Sequence, residues 1–429
     1  MISRYFPLIT AAVLVTACDS GGSPAVNAVV PDSCSTVEQN RFVLDVMRDI
    51  YYWVDEMPGA DPAAFDSPEA LLDFLLFDEL DRFSAIADAA EEDAFFSSSQ
   101  FIGVGLSIQA IGDRLFVTQT FSDGPAAAAG LARGYELLSI NGLDAAEIIN
   151  GDGISAAFGA DEVGTQVDLV YLDRAGTQMS ATIFKAIVTI DTVSAAAVLP
   201  VANKTVGYVA FRNFVEPSFA ALDNVFSDFK TQGVDELVLD LRYNSGGLIS
   251  VAEFLAGLVG GTVTDGEIFA VRTHNSQNTF RNRETRFLDE SNALDLRRVI
   301  IITSGRTASA SEMVINGLEP FLDVVLIGEQ TLGKPVGSYG FAFCDKIARP
   351  IAFANENAIG DGDFFGGLAV DCEAADDLDF DLGDPEEASL AEALYYIANG
   401  SCSVQSARSQ KATTTLRRLR SDYDLLNAY

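Results

Sequence analysis

Histidine is nearly absent from this chain: 429 residues contain one, His274. A His-rich zinc site is thereby excluded, and any Ser/His/Asp mechanism would have to run through that single imidazole. His274 sits in a polar run, residues 273–278, that reads as an exposed loop. Positive charge is also scarce. The 27 Lys+Arg face 62 Asp+Glu, a balance of −35, so phosphate backbones would meet repulsion over most of the surface and no nucleic-acid partner is expected. Beyond the first residues, no stretch approaches the ~20 apolar residues needed to span a bilayer. The acidic segment 361–384 lacks the regular ligand spacing of a Ca²⁺ loop and reads as solvated, so no metal and no cofactor are expected. What is present is 48% hydrophobic and 21% charged, the balance of a globular chain, and the length suggests two or three domains.

The first 17 residues carry one positive charge, Arg4, then an apolar stretch broken by Pro7 and Thr10, and end in Val15-Thr16-Ala17 before Cys18. This is too short for a permanent membrane helix. Small residues before a cysteine, with an Asp-Ser-Gly-Gly-Ser run from Asp19, resemble a bacterial lipoprotein signal. The resemblance implies a signal peptide over 1–17, an acylated Cys18 opening a linker over 18–35, and a chain lipid-anchored to a membrane in the cell envelope, on its periplasmic or extracellular side. Outside the cytoplasm, the four remaining cysteines, Cys34, Cys344, Cys372 and Cys402, favour two disulfides with three possible pairings. The expected pairs are Cys344 with Cys372, and Cys34 with Cys402 tying the two ends together.

Residues 36–99 have helical periodicity: Phe42, Val43, Val46, Ile50, Tyr51 and Val54 recur at three- and four-residue intervals, and a second run covers 68–80. From 100 to 187 the texture changes to short β-prone runs between glycines, at 115–120, 167–172 and 180–184. From 188 to 400 strands alternate with helices, which predicts an α/β layer architecture with crossovers. Strands are expected at 206–211, 236–241, 299–303 and 324–327, and helices near 217–231, 249–258 and 309–318. The tail, 401–429, is polar, and its Arg417, Arg418 and Arg420 cluster reads as a solvated helix face.

In the β-rich region, Phe101-Ile-Gly-Val-Gly-Leu-Ser-Ile108 is followed by Gly124-Pro125-Ala126, Gly130-Leu131, Gly134 and Ile140-Asn141-Gly142. As a set these resemble a PDZ domain. In that family the loop corresponding to Gly103, Val104, Gly105 and Leu106 holds a peptide's terminal carboxylate on backbone N–H groups while the peptide adds a strand to the sheet edge. Glycine would be required for close backbone approach. Tyr135 departs from the family's usual aspartate.

Three stretches in the α/β region follow apolar strands: Leu239-Asp-Leu-Arg-Tyr-Asn-Ser-Gly-Gly247, Thr307-Ala-Ser-Ala-Ser-Glu312, and Gly328-Glu-Gln-Thr-Leu-Gly-Lys-Pro-Val-Gly337. Strand ends are where α/β enzymes place their sites. A serine at a strand-to-helix turn exposes its hydroxyl, and N–H groups at the helix start can receive an anion. Gly246 and Gly247 can bring a second strand end close enough to add a donor. The base is missing from these features, and Lys334, whose neighbours are uncharged, is the best candidate, since burial would favour the neutral amine; the alternative is a surface lysine in a glycine turn.

Together these stretches resemble the C-terminal processing peptidases, or tail-specific proteases, which are serine peptidases with a Ser/Lys dyad. The resemblance covers about 36–399 in the family's order: a small N-terminal helical domain, a PDZ-like β-rich domain, then an α/β core of the crotonase-like or Clp-protease-like kind. It implies that Ser309 is the nucleophile, Lys334 the base, and the N–H groups of Ala310 and of Gly246 or Gly247 the oxyanion donors. Many members have a glutamine four residues after the lysine. This chain has Ser338 there, a possible third member, and Pro335 where many have glycine. Ser311, half a turn into the helix, is the lesser nucleophile candidate, and Glu312 and Glu329 read first as turn carboxylates. The implied partners are proteins or peptides with free C-termini. The competing reading is a non-catalytic peptide- or apolar-ligand-binding lipoprotein on the same fold, against which an intact Ser309 and Lys334 both count.

Overall fold

The computed structural model describes residues 26–404 except 27 and 152. Cys18 and the arginine cluster of the tail lie outside the described residues. Helix α1 (Thr36–Ile50) turns Phe42, Val43, Val46, Met47 and Ile50 inward. Helix α2 (Pro68–Leu75) starts at a Ser67 cap whose hydroxyl accepts from the Ala70 N–H, with proline at the first helical position, where its missing N–H costs nothing. These helices share one core with Phe341, Phe343 and Phe353 from the far end of the chain. The helical segment is therefore built onto the α/β region and reaches its chemistry.

The β-rich region is an antiparallel sheet of β1 (Leu106–Ile111), β2 (Arg114–Thr120), β3 (Glu136–Ile140), β4 (Gln166–Leu172) and β5 (Gln178–Phe184), joined in that order, with β1 at one edge. The glycines before β1 have a reason the sequence does not show. A Cβ on Gly105 would lie 2.8 Å from the Cα of Gly124, so the two backbones pack directly on each other.

The α/β core follows as β6 (Val193–Val201), β7 (Lys204–Phe211), α3 (Ser218–Gln232), β8 (Glu236–Asp240), α4 (Ile249–Gly260), β9 (Ile268–His274), β10 (Arg283–Arg286), β11 (Arg298–Thr303), α5 (Ala310–Leu318), β12 (Asp323–Gly328), β13 (Val336–Ser338), β14 (Ile351–Glu356), β15 (Cys372–Glu373) and α6 (Ala388–Asn399). Strands β7, β8, β11 and β12 are parallel neighbours, flanked by antiparallel β6 and by short β15. Both faces of this sheet are covered, which is why its strands read as unbroken apolar runs. Leu237, Leu239, Val299 and Ile301 pack against α3, α4 and α5. The alternate residues Val238, Ile300 and Ile302 pack against α6. A second sheet, ordered β10-β9-β14-β13, stands beside it.

The cysteines form two disulfides, paired otherwise than expected: Cys34 with Cys344, and Cys372 with Cys402. The reason is local packing. Phe42 of α1 stacks near Phe343, 5.0 Å between ring centroids, which brings Cys34 beside Cys344. Cys372 and Cys402 belong to the same hydrophobic cluster under α6.

The acidic segment is likewise not simply solvated. Asp376 is ion-paired to Arg133 of the β-rich region and, at 3.0 Å, to Arg242 just after β8. Arg242 also binds both oxygens of Glu387, at 2.7 and 2.8 Å. Burial alone would push the Asp376 carboxyl up, but these two guanidiniums outweigh it and hold its pKa down at about 2.

Candidate active site

All three motif loops leave the C-terminal edge of the parallel sheet, after β8, β11 and β12. Ser309 caps α5 with φ 55° and ψ −116°, backbone space that a side-chain-bearing residue rarely enters. Such a turn survives only when its surroundings hold it, and here they do. The Ser309 N–H donates to Glu312 Oε2 at 2.9 Å, and its carbonyl accepts from Met313 at 2.8 Å. Asn244 ties the β8 loop to the same turn: its carbonyl accepts from the Ala308 N–H at 3.2 Å and from the Ser311 hydroxyl at 3.0 Å. Ser311 is fully buried with its hydroxyl occupied, so it is a brace for the turn.

Lys334 is 5% exposed, and its Nζ lies 5.5 Å from the centroid of the Phe83 ring, contributed by the helical segment. Arg82 beside it donates to the carbonyls of Leu332 at 3.0 Å and Phe365 at 3.1 Å, fixing the lysine loop from outside. The Leu332 N–H donates to Thr307 at 2.9 Å, joining the lysine and serine loops directly.

The residue that organises both loops is Glu312. It is fully buried, and its carboxylate accepts from the backbone N–H groups of Ser309, Gly333 (2.7 Å) and Lys334 (2.8 Å) and from the Thr331 hydroxyl. Burial raises its pKa above the usual glutamate range, and those four donors pull it only partly back. The sequence carried a signal for it: Ser309-Ala-Ser-Glu312 is a capping box, in which the third helical residue reaches back to the cap N–H. Nothing local signalled that the same carboxylate also holds the lysine loop.

The glycine pair divides into two roles. A Cβ on Gly246 would lie 2.8 Å from the Ser309 Cβ, so glycine lets the two loops touch. Its N–H, however, is already given to Asn244 Oδ1 at 2.9 Å. The N–H groups of Gly247 and Ala310 have no hydrogen-bond partner among the described residues. Gly247 has φ 138°, and a Cβ there would meet the Phe214 carbonyl at 2.1 Å, so only glycine fits.

Ser309 and Lys334 line the same two cavities. One is apolar, bordered by Phe269, Ala270, Met313, Gly317 and Val336. The other runs past Gly247, Ser338 and Tyr339. Ser338 thus faces the cleft from β13. His274 does not line either cavity, and the exposed loop expected for it is the end of β9, where it is 6% exposed. Its Nε2 meets the Tyr339 hydroxyl at 3.0 Å. Burial, with the charges of Arg272, Arg281 and Arg283, lowers its pKa. Gly103, Val104, Gly105 and Leu106 lie at the entry to β1, away from these cavities.

Residues 205–351 match the model described as peptidase family S41, and residues 38–85 that of the peptidase S41 N-terminal domain. A carboxyl-terminal-processing protease of Synechocystis sp. is 26% identical over 255 residues, 59% of this chain and 57% of that protein. One from Picosynechococcus sp. is 30% identical over 267 residues, 60% of each chain. The chain thus spans under two thirds of the length of these relatives. Among solved structures, that of a "Putative S41 protease" from Bacteroides fragilis superimposes with a TM-score of 0.67 at 26% identity, covering 84% of this chain and 97% of that one.

Proposed function

We propose that the chain is a serine-type, C-terminal processing peptidase of the S41 family, an endopeptidase in which Ser309 is the nucleophile and Lys334 the general base. The observation that carries this reading is the single buried carboxylate of Glu312, bonded to the backbones of both residues, which fixes their side chains on one cleft. Nζ of Lys334 takes the hydroxyl proton as Oγ bonds to the substrate carbonyl carbon. The N–H groups of Gly247 and Ala310 receive the oxygen as it gains charge. The ammonium then gives that proton to the leaving amine as the C–N bond breaks, leaving an acyl-enzyme. Water attacks the ester, Lys334 takes its proton, and the Ser309 hydroxyl is restored as the acid leaves. Ser338, on the cleft wall, is the candidate third member that orients the amine.

In this proposal the core is of the crotonase-like or Clp-protease-like kind, and residues 100–187 form a PDZ-type domain. Strand β1 supports the latter: it lies at the edge of its sheet directly after the Gly103–Leu106 loop, so a peptide could add beside it with its carboxylate on that loop. Substrates would be proteins offering a free C-terminus.

Export is supported by the two disulfides, which belong to an oxidising compartment. Acylation of Cys18 would then hold the chain at a membrane. Metabolic labelling with a fatty acid should mark the wild type and not Cys18→Ser, and an unlabelled wild type removes the anchor.

The discriminating experiment for the catalytic reading is a serine-directed fluorophosphonate. It should modify Ser309 alone, and Lys334→Ala should slow labelling by at least about 10²-fold, the usual contribution of a positioned base. An unreactive Ser309 in the folded wild type would favour the binding-protein reading instead.

A further inference from the structure

Past Ser309 and Lys334 the cleft continues into the second of the two cavities. Its wall is basic in a chain of net charge −35. Arg272, Arg283 and Arg349 border it, with Glu253 the one carboxylate among its lining residues. Arg349 is neutralised by Glu92. Arg272 has no such partner. It is 6% exposed, its guanidinium lies 4.3 Å from the centroid of the Phe353 ring, and its Nε is buried without a hydrogen-bond partner. No ion pair among the described residues includes it. A buried cation without an anion is strongly disfavoured.

A second, independent feature lies across the strand pair. Arg272 on β9 stands directly opposite Arg283 on β10, and like charges at paired positions repel. Two other buried guanidiniums, Arg133 and Arg242, are each neutralised by carboxylates. At the cleft wall two arginines stand at paired positions, and the inner one lines the cleft of the nucleophile with no ion pair among the described residues.

We propose that Arg272, with Arg283 at the rim, is a specificity-determining site that receives a carboxylate of the bound polypeptide close to the scissile bond. This rests on the reading of Ser309 and Lys334 as the hydrolytic pair, and it names the substrate class for that pair. The carboxylate is either the substrate's free α-carboxylate or an Asp or Glu side chain; in both cases a planar guanidinium donates to two oxygens, geometry that arginine provides and lysine does not. Since Ser309 also lines the apolar cavity, the preferred substrate offers an apolar side chain as well as a carboxylate near the bond.

Equilibrium binding to the Ser309→Ala protein tests the site without turnover. The probes are fluorescent peptides of one length: neutral with a C-terminal amide, neutral with a free C-terminus, and amidated with one glutamate walked through the positions. At least one carboxylate-bearing kind should bind about ten-fold tighter than the neutral amide, and adding Arg272→Met should bring that ratio to about one. Arg272→Lys, which keeps the charge without the fork, should fall between. A loss confined to the free terminus identifies the α-carboxylate, and a loss confined to the glutamate series identifies the side chain. The Gly103–Leu106 loop is the same in all the proteins, so a terminus held there cancels. Since the substitution removes an orphaned charge, the melting temperature should hold or rise, whereas a structural role would lower it. Equal binding ratios with and without Arg272 overturn the proposal. Failure of the hydrolytic reading appears separately, as no cleavage of any of these peptides by the wild type.

Discussion

Ser309→Ala should lower kcat/KM on a cleavable peptide by about 10⁴-fold or more while leaving the protein folded, and Lys334→Ala should do nearly the same. The alanine at 309 keeps a Cβ, so the unusual φ is no harder to hold, and the Glu312 bond to the backbone N–H is untouched. The informative protein is the double variant. A nucleophile without its base, and a base without its nucleophile, each lack the same covalent step, so removing both should cost little more than removing either. Independent roles would instead multiply. Residual turnover in all three should be equal and set by the Gly247 and Ala310 donors with substrate binding. A Lys334→Ala protein retaining more than about a tenth of wild-type activity would sink the dyad, because no positioned base is worth so little.

The parts of this fold legible in the sequence are those written in local pattern. The expected strands at 206–211, 236–241, 299–303 and 324–327 are found at Lys204–Phe211, Glu236–Asp240, Arg298–Thr303 and Asp323–Gly328, and the helix near 309–318 at Ala310–Leu318. Each is a buried apolar run or an amphipathic stretch whose neighbours in the chain specify it. What was not legible depends on residues distant in sequence. Arg82 reaches the Leu332 carbonyl across 250 positions, and no periodicity marks an arginine for that task. Cys34 finds Cys344 because two phenylalanines pack, which composition cannot show. His274 sits in a polar run, yet three of its neighbours, Asn275, Asn278 and Asn282, spend their side chains on hydrogen bonds in the fold, so polarity there marks a satisfied network and not an exposed loop. That the Gly246 N–H is taken up depends on one side chain, Asn244, which the sequence does not mark.

Glu312→Gln should cost roughly 1–3 kcal/mol of stability and Glu312→Ala more, each with a fall of about 10²-fold in kcat that exceeds any change in KM. The asymmetry follows from which oxygen is lost. Oε2 accepts from the N–H groups of Ser309 and Lys334, neither of which can reverse its role. Oε1 accepts from the Gly333 N–H and from the Thr331 hydroxyl, and a hydroxyl can turn to accept instead. Glutamine should therefore place its oxygen at the Oε2 position and its NH₂ toward Thr331, leaving the Gly333 N–H without a partner and the Thr331 hydroxyl, which also accepts from the Leu368 N–H, without its acceptor. Alanine strands three backbone donors at once and leaves a cavity. The two catalytic loops then lose their common anchor, and a displacement of about 1 Å between nucleophile and base is enough for the loss in kcat. A purely structural glutamate would give the stability loss alone, with fluorophosphonate labelling of Ser309 at the wild-type rate in the folded fraction. Thr331→Val in the glutamine background separates the cases further: without a hydroxyl to accept from the NH₂, the double variant should be less stable than the sum of the two single changes, and strict additivity would show that the two side chains do not share the site as described.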